Sequence, residues 1–192
     1  MARRATVAVR AGGFMLAAVM LSACSSGSTD GGPAMSLQLT SSAFVANGDM
    51  PRQLTCEGGD RSPPLAWSVV PVDTKSFALI VDDPDAPDPA APQRTWVHWV
   101  VYNLPADVAA LEEGASTQLP TGARDGRNDW GRTGYGGPCP PVGRHRYFHK
   151  LYALDIELPA EPVLDKAGLE RAMEGHVLAR AELVGTYQKT GR

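Results

Sequence analysis

The residues best suited to chemistry lie at or near the ends of three apolar segments. "VDDPDAP" follows the apolar run at 76–81, His98 lies within "TWVHWV", and His145 and Tyr147 open the segment "HRYFHKLYALD". Imidazole and phenol groups can donate hydrogen bonds to an anion, and together with carboxylates they can exchange protons with a substrate. Strand ends at one edge of a sheet can converge, so these segments are predicted to contribute to one pocket.

Each segment also has a purely structural interpretation, and the residues alone leave both open. Aspartate and proline are ordinary turn residues, so "VDDPDAP" is equally typical of a turn. His98 lies inside an apolar run, as a hydrogen-bonded core histidine would. Side chains on a strand alternate faces, so His145 and Tyr147 share one face and Arg146 takes the other. The prolines before them stiffen the loop that leads into the strand.

Metal and nucleophile motifs have weaker support. His145 and His149 have the spacing of a helical metal pair, but on a strand they lie roughly 13 Å apart at ~3.3 Å per residue. We predict no metal site and assign no role to His149. The glycines at 126–137 are not followed by G-K-[ST] or a helix, and no G-x-S-x-G occurs. Cys139 is better interpreted as structural than as a nucleophile, so the sequence predicts a protein that is not an enzyme and has no cofactor.

The elements that must position these residues are mostly strands. Apolar or alternating runs at 36–44, 76–81, 94–105, 145–158 and 179–184 predict strands. Asp165 is predicted to cap a short helix, Lys166 to Met173. The glycine-rich connection at 106–144 is long, which favours a functional loop. The predicted fold is therefore mainly β (α+β), a central antiparallel sheet with a few short helices, rather than a βαβ fold.

The first 34 residues are predicted to lie outside the folded domain. Arg3, Arg4 and Arg10 precede an apolar run at 11–21 that is too short to span a bilayer. The run ends in "LSAC", which resembles the bacterial lipoprotein signal with Cys24 as the lipidated residue; an ordinary secretory signal is the alternative. We predict a signal peptide at 1–23, a flexible tether at 24–34 and a domain at 35–192. The predicted localisation is an exported, membrane-anchored lipoprotein of a bacterial cell envelope.

Charge and cysteine content narrow the partners further. The chain has 18 basic and 21 acidic residues, and loss of 1–23 removes three arginines, which leaves 15 and 21 and a formal charge of −6. No Lys/Arg-rich segment then remains, which argues against a nucleic-acid partner. Once Cys24 is assigned to lipid, Cys56 and Cys139 form an even pair in an exported protein. That pair predicts a disulfide, with simple packing of two thiols as the alternative.

Five motifs in order resemble the phosphatidylethanolamine-binding, or Raf kinase inhibitor-like, family in its bacterial branch. They are "CEGGDRSPPLAWS", "VDDPDAP", "TWVHWVVYNLP", "GYGGPCPPVGRHRYFHKLYALD" and "GHVLARAELVGTY". The resemblance implies an antiparallel sheet with a small pocket for phosphate, acetate or a phospholipid head group. The pocket residues that it implies are Asp83, Asp85, His98, His145 and Tyr147, walled by Pro138, Pro140 and Pro141.

The leading functional prediction is a lipid-anchored, regulatory protein that binds a small anionic ligand or head group. One alternative is a regulator that inhibits a kinase or protease, and another is a weak phosphoester hydrolase; a protein partner is left unspecified. The aspartates are expected to orient the histidines and to favour their protonation. They would also repel a fully ionised ligand, so the expected guest is a mono-anion or a zwitterion.

Overall fold

The chain divides into two compact units, Met1–Ala34 and Met35–Arg192. A computed structural model describes residues 1–2 and 36–190. The predicted signal peptide, the tether and Cys24 lie outside the described residues. Within the described part, no helix is both long enough and apolar enough to cross a membrane. The sheets, the helix and the site described in this chain all lie within residues 36–190.

Two antiparallel sheets form the domain, as predicted for a mainly β fold. The strands are β1 Gln38–Thr40, β2 Leu65–Ser68, β3 Ser76–Asp83, β4 Trp96–Pro105, β5 Ala110–Leu111, β6 Arg124–Asp125, β7 His145–Leu154 and β8 Val177–Tyr187. The smaller sheet has the order β1-β2-β5, and the larger has the order β6-β4-β3-β7-β8. One short helix, α1, spans Lys166–Ala172, and single 3₁₀ turns span Arg52–Leu54 and Ala115–Thr117.

Strand β3 lies at the centre of the larger sheet and is buried on both faces, as its unbroken apolar sequence predicts. Phe77, Leu79 and Val81 pack into the core between the two sheets. Ala78 and Ile80 alternate to the opposite face, where they join a second core with residues of α1. Both faces are therefore fixed by apolar packing, which holds the end of β3 in a constant position.

Several elements differ in length from prediction, and β7 ends at Leu154 instead of residue 158. The predicted cap is confirmed, since Asp165 accepts a hydrogen bond from the Gly168 amide at 2.7 Å, but α1 ends one residue earlier than expected. Strand β1 is shorter than the predicted 36–44 because the Ser41 hydroxyl donates to the Pro64 carbonyl and turns the chain out of the sheet. Strand β3 extends through Asp83 instead of stopping before it.

The loop before β7 is fixed by a covalent bond and by hydrogen bonds. Cys56 and Cys139 form a disulfide between residues 83 apart in sequence. The Cys56 amide donates to the Pro138 carbonyl at 3.1 Å, and the Gly137 amide donates to the Asp60 carboxylate at 2.7 Å. The proline-rich segment is thus held against the loop at 52–60, and it enters β7 from a defined position.

Candidate functional site

A cavity of about 450 Å³ opens where the end of β3 meets the beginnings of β4 and β7. These ends share one edge of the sheet because Asp83 pairs with Trp96 across β3 and β4, and Asp82 pairs with Phe148 across β3 and β7. The predicted site residues that line the cavity are Asp83, His98, His145, Pro140 and Pro141. The predicted convergence of three strand ends is therefore present.

Asp83 and His145 bind each other within the cavity wall. The Asp83 Oδ2 lies 2.7 Å from His145 Nδ1, and His145 Nε2 lies 3.0 Å from the Val142 carbonyl. Both ring nitrogens thus face oxygen acceptors, and both hydrogen bonds form together only in the imidazolium ion. The other Asp83 oxygen accepts the Asp85 amide at 2.8 Å. The expectation that His145 donates to a ligand is corrected here, because neither nitrogen is left for one.

His98 is the histidine that retains a nitrogen for a ligand. Its Nδ1 lies 2.6 Å from the Gly136 carbonyl, so this nitrogen carries the proton and donates it. Its Nε2 has no hydrogen-bond partner among residues 36–190, and His98 lines the cavity. Burial lowers the pKa of His98, although the bond to Gly136 and the charge of Asp83 act in the opposite direction. The expected protonation by the aspartates is thus outweighed, and Nε2 offers a lone pair near neutral pH.

Asp85 does not line the cavity, because its carboxylate is occupied by Arg146. The Arg146 Nε and main-chain amide both lie 2.9 Å from Asp85 Oδ2, and Nη2 lies 2.6 Å from Oδ1. Hydrogen bonds from Arg146 lower the pKa of Asp85 and outweigh the cost of burial. The pair connects the loop after β3 to the second residue of β7. Asp85 therefore supports the structure around the cavity.

Tyr147 and Pro138 also lie away from the cavity lining. Tyr147 has no exposed surface and packs edge-on against His98, with ring centroids 5.2 Å apart. Burial, followed by the charge of Asp83, raises the pKa of Tyr147, which keeps it a neutral phenol. Pro138 is buried, and its carbonyl accepts the Cys56 amide. Ligand contact by these two residues would require a rearrangement of the wall.

Six residues of the cavity lining were missed from sequence, and three of them, Arg94, Trp96 and Trp130, carry its cationic and aromatic groups. The Arg94 guanidinium lies over the Trp96 ring at 4.1 Å, and Trp130 contacts both Trp96 and His98 edge-on with centroids 5.2 Å apart. Alternation in "RTWVH" could have revealed the first two, since Arg94, Trp96 and His98 are spaced two residues apart and so share a strand face. Trp130 lies in the long loop, where no periodic pattern indicates its direction.

His149 lies in the core and not in the cavity. Its Nδ1 is 3.2 Å from the Leu183 carbonyl, and its ring packs against Phe44 at 5.4 Å. Burial lowers the pKa of His149 to about 4. Within the described chain, no group of three His, Cys, Asp or Glu side chains has an arrangement that could hold a metal ion.

Residues 40–188 match the family model described as phosphatidylethanolamine-binding protein, and the chain belongs to this family. It is 48% identical over 155 residues to a UPF0098 protein of Methanothermobacter thermautotrophicus, covering 80% of this chain and 99% of the relative. Among solved structures, it is similar to a putative phosphatidylethanolamine-binding protein homologue of Chlamydia trachomatis, with a TM-score of 0.74, 45% identity and coverage of 80% and 98%. It is also similar to YbcL of E. coli, with a TM-score of 0.73, 38% identity and coverage of 81% and 100%.

The predicted localisation, an exported lipoprotein of a bacterial cell envelope, is wrong. The relative from Methanothermobacter is archaeal, and so is a UPF0098 protein of Pyrococcus horikoshii that is 45% identical over 161 residues. A further archaeal relative, from Archaeoglobus fulgidus, is 38% identical over 151 residues. These archaeal relatives share the domain, and archaea lack a bacterial cell envelope. Membership of the family therefore does not indicate a bacterial envelope lipoprotein.

Proposed function

We propose that this protein binds a small anionic ligand, a phosphate mono-anion or a phosphorylated head group, in the cavity at the ends of β3, β4 and β7. The observation that carries the proposal is the free Nε2 of His98. It is the ring nitrogen without a partner among the described residues of a cavity whose walls are otherwise largely apolar. A few converging polar groups in an apolar cleft are typical of small-molecule sites.

The charges around the cavity support an anion rather than a cation. The Asp83 carboxylate accepts hydrogen bonds from His145 Nδ1 and from the Asp85 amide, and it is buried with both residues. An arriving anion therefore meets a carboxylate whose oxygens are already engaged. A neutral His98 can accept a hydrogen bond from the P–OH of a mono-anion or from an ammonium group, and a protonated His98 can donate to an anionic oxygen. Both modes favour a mono-anion or a zwitterion.

Binding without turnover is favoured over hydrolysis. Hydrolysis through a covalent intermediate needs a nucleophile that a neighbouring base or a lowered pKa activates. Cys139 lines the cavity, but its sulfur is bonded to Cys56. Tyr147 is a buried neutral phenol. Neither Cys139 nor Tyr147 is therefore available as an activated nucleophile.

Calorimetric titration tests the proposal directly. Inorganic phosphate, acetate and phosphoethanolamine are titrated into the wild type, His98→Ala and the control His176→Ala. His176 is a partly exposed histidine that pairs with Asp155 near the opposite end of β7. A hydrogen bond to a charged group contributes roughly 1.5–3 kcal/mol, so His98→Ala should weaken binding about tenfold to a hundredfold. Equal affinities for all three proteins would refute the site.

A further inference from the structure

The cavity is much larger than an inorganic anion. Its volume is about 450 Å³. Pockets for drug-sized ligands span about 300–1,000 Å³, so this volume falls in the range of an organic molecule. A phosphate or acetate beside His98 would leave most of the space unfilled. The volume therefore indicates a ligand that carries a second, larger group.

The walls away from His98 are aromatic and apolar. Trp96, Trp130 and His98 form a chain of edge-to-face contacts, with interplanar angles of 81° and 78°. Both indoles line the cavity, together with Pro87, Pro140 and Pro141. Trp130 remains 43% exposed, which is a large apolar surface to leave in water. Rings held in this way present flat surfaces against which another ring can pack.

One cation of the lining has no carboxylate partner. Arg94 is exposed, stacks on Trp96 and forms no ion pair within residues 36–190. The Asp83 carboxylate is engaged by His145 Nδ1 and the Asp85 amide, so the guanidinium of Arg94 is the charged group of the lining that remains available to an anion. A guanidinium binds carboxylate or phosphate oxygens in a bidentate manner. Stacking on the Trp96 indole restricts the Arg94 side chain before a ligand binds, which reduces the side-chain entropy lost on binding.

We propose that Arg94 receives the charge of the ligand and that Trp130, with Trp96, receives a ring-sized apolar group attached to it. The pocket thus prefers an organic mono-anion with an aromatic or similarly sized apolar group over a bare anion of equal charge. This inference rests on the proposed function, because it concerns the same cavity. It adds the class of ligand and two residues that determine specificity.

Two pairs of probes with matched anionic groups separate the effect of the ring from the effect of the charge. Phenyl phosphate is compared with inorganic phosphate, and benzoate with acetate, by calorimetric titration. For the wild type we expect the aromatic member of each pair to bind at least about tenfold more tightly, since a buried ring removes a large apolar area from water. Phosphoethanolamine is a fifth probe that tests whether a lipid head group alone reaches the same affinity.

Three variants assign the effects to residues. Arg94→Gln should weaken all four anions about tenfold, whereas the control Arg180→Gln, an exposed arginine on the outer part of β8, should leave them unchanged. Trp130→Ala should abolish the preference for the aromatic probe and leave acetate and phosphate within about twofold of wild type. Trp130→Phe keeps an aromatic ring and should retain part of the preference.

The outcomes distinguish this inference from the proposed function. If the anions bind and His98→Ala weakens them, but Arg94→Gln equals Arg180→Gln, the role of Arg94 is refuted and the proposed function stands. If Trp130→Ala keeps the wild-type preference, or the wild type shows none, the ligand class is refuted. If no probe binds the wild type, the proposed function fails and the inference fails with it. Arg94 and Trp130 are both exposed, so the melting temperatures of the variants should stay near wild type.

Discussion

Asp83 and His145 form a buried hydrogen bond, with 2.7 Å between the carboxylate Oδ2 and the imidazole Nδ1. The pair joins the last residue of β3 to the first residue of β7. The histidine that the sequence offered as a ligand-binding group is thus mainly a connection between two strands. His98, on the third strand end, is the histidine left to meet a ligand.

Removal of the His145 side chain should therefore mainly lower the free energy of unfolding. His145→Ala removes one of the two hydrogen-bond donors to the buried Asp83 carboxylate, and a hydrogen bond to a charged group contributes roughly 1.5–3 kcal/mol. Urea unfolding should show this loss for His145→Ala and a smaller one for His98→Ala. Asp83→Asn combined with His145→Ala should recover part of the loss, because the uncompensated charge is removed. A His145→Ala variant as stable as His98→Ala would contradict the assignment.

Anion binding should be coupled to proton uptake at His98. Burial lowers the pKa of His98 in the free protein, and an anion beside Nε2 should raise it again. The bound form then holds more protons than the free form, so affinity should increase as pH falls. Titration of acetate, which stays ionised near neutral pH, in two buffers with different ionisation enthalpies measures the uptake. The uptake should disappear in His98→Gln; its persistence there would place the proton on another group.

The Arg146–Asp85 pair should stabilise the protein without affecting the ligand. Arg146→Met removes the two guanidinium hydrogen bonds to the nearly buried Asp85 carboxylate and keeps only the main-chain one, with an expected loss of about 1–3 kcal/mol. Because the pKa of Asp85 is lowered, its contribution is present above the unfolded value near ~3.9 and is lost as pH falls toward the folded one. Acid unfolding of wild type and Asp85→Asn measures this difference. Phosphate affinity near neutral pH should match wild type in both variants. A tenfold loss of affinity would show that Asp85 contributes to ligand binding.

His149 should make the protein less stable in mild acid. Its pKa falls to about 4 on folding, against ~6.5 in the unfolded chain. Between these two pH values His149 is protonated in the unfolded state but not in the folded state. The free energy of unfolding therefore decreases as pH falls from about 6.5 to about 4. His149→Phe should remove about 3 kcal/mol of this pH dependence, while the control His176→Ala should retain it. Superimposable pH profiles for wild type and His149→Phe would exclude this role.

The disulfide should support both the fold and the cavity. It joins residues 83 apart in sequence, and loss of such a cross-link costs roughly 4 kcal/mol in the chain-entropy account. Both cysteines are exposed, and Cys139 lines the cavity, so a reductant should reach the bond in the native protein and weaken phosphate binding. Unfolding and titration with and without dithiothreitol measure the two effects. The double variant Cys56→Ala, Cys139→Ala should resemble the reduced wild type; insensitivity of both properties to reduction would refute this dependence.

The sequence by itself determined most of the strands and the helix cap, because the patterns that specify them are local. The apolar run at 76–81 specifies a strand buried on both faces, and the Asp165 side chain caps α1 through an amide three residues away. The residues at the ends of β3, β4 and β7 were likewise predicted, since turn-forming prolines and aspartates limit these strands. Such features depend on side-chain period and neighbouring backbone groups, which a sequence displays directly.

Only the tertiary structure decided which of these residues face a ligand. The register between β3 and β7 and the disulfide-held loop place acceptors at both nitrogens of His145, and the return of the long loop leaves one nitrogen of His98 free. The same loop carries Trp130 to Trp96, more than thirty positions earlier in the chain. Availability for binding depends on how donors and acceptors are paired across distant segments. The sequence shows the types of these groups, and the fold alone determines their partners.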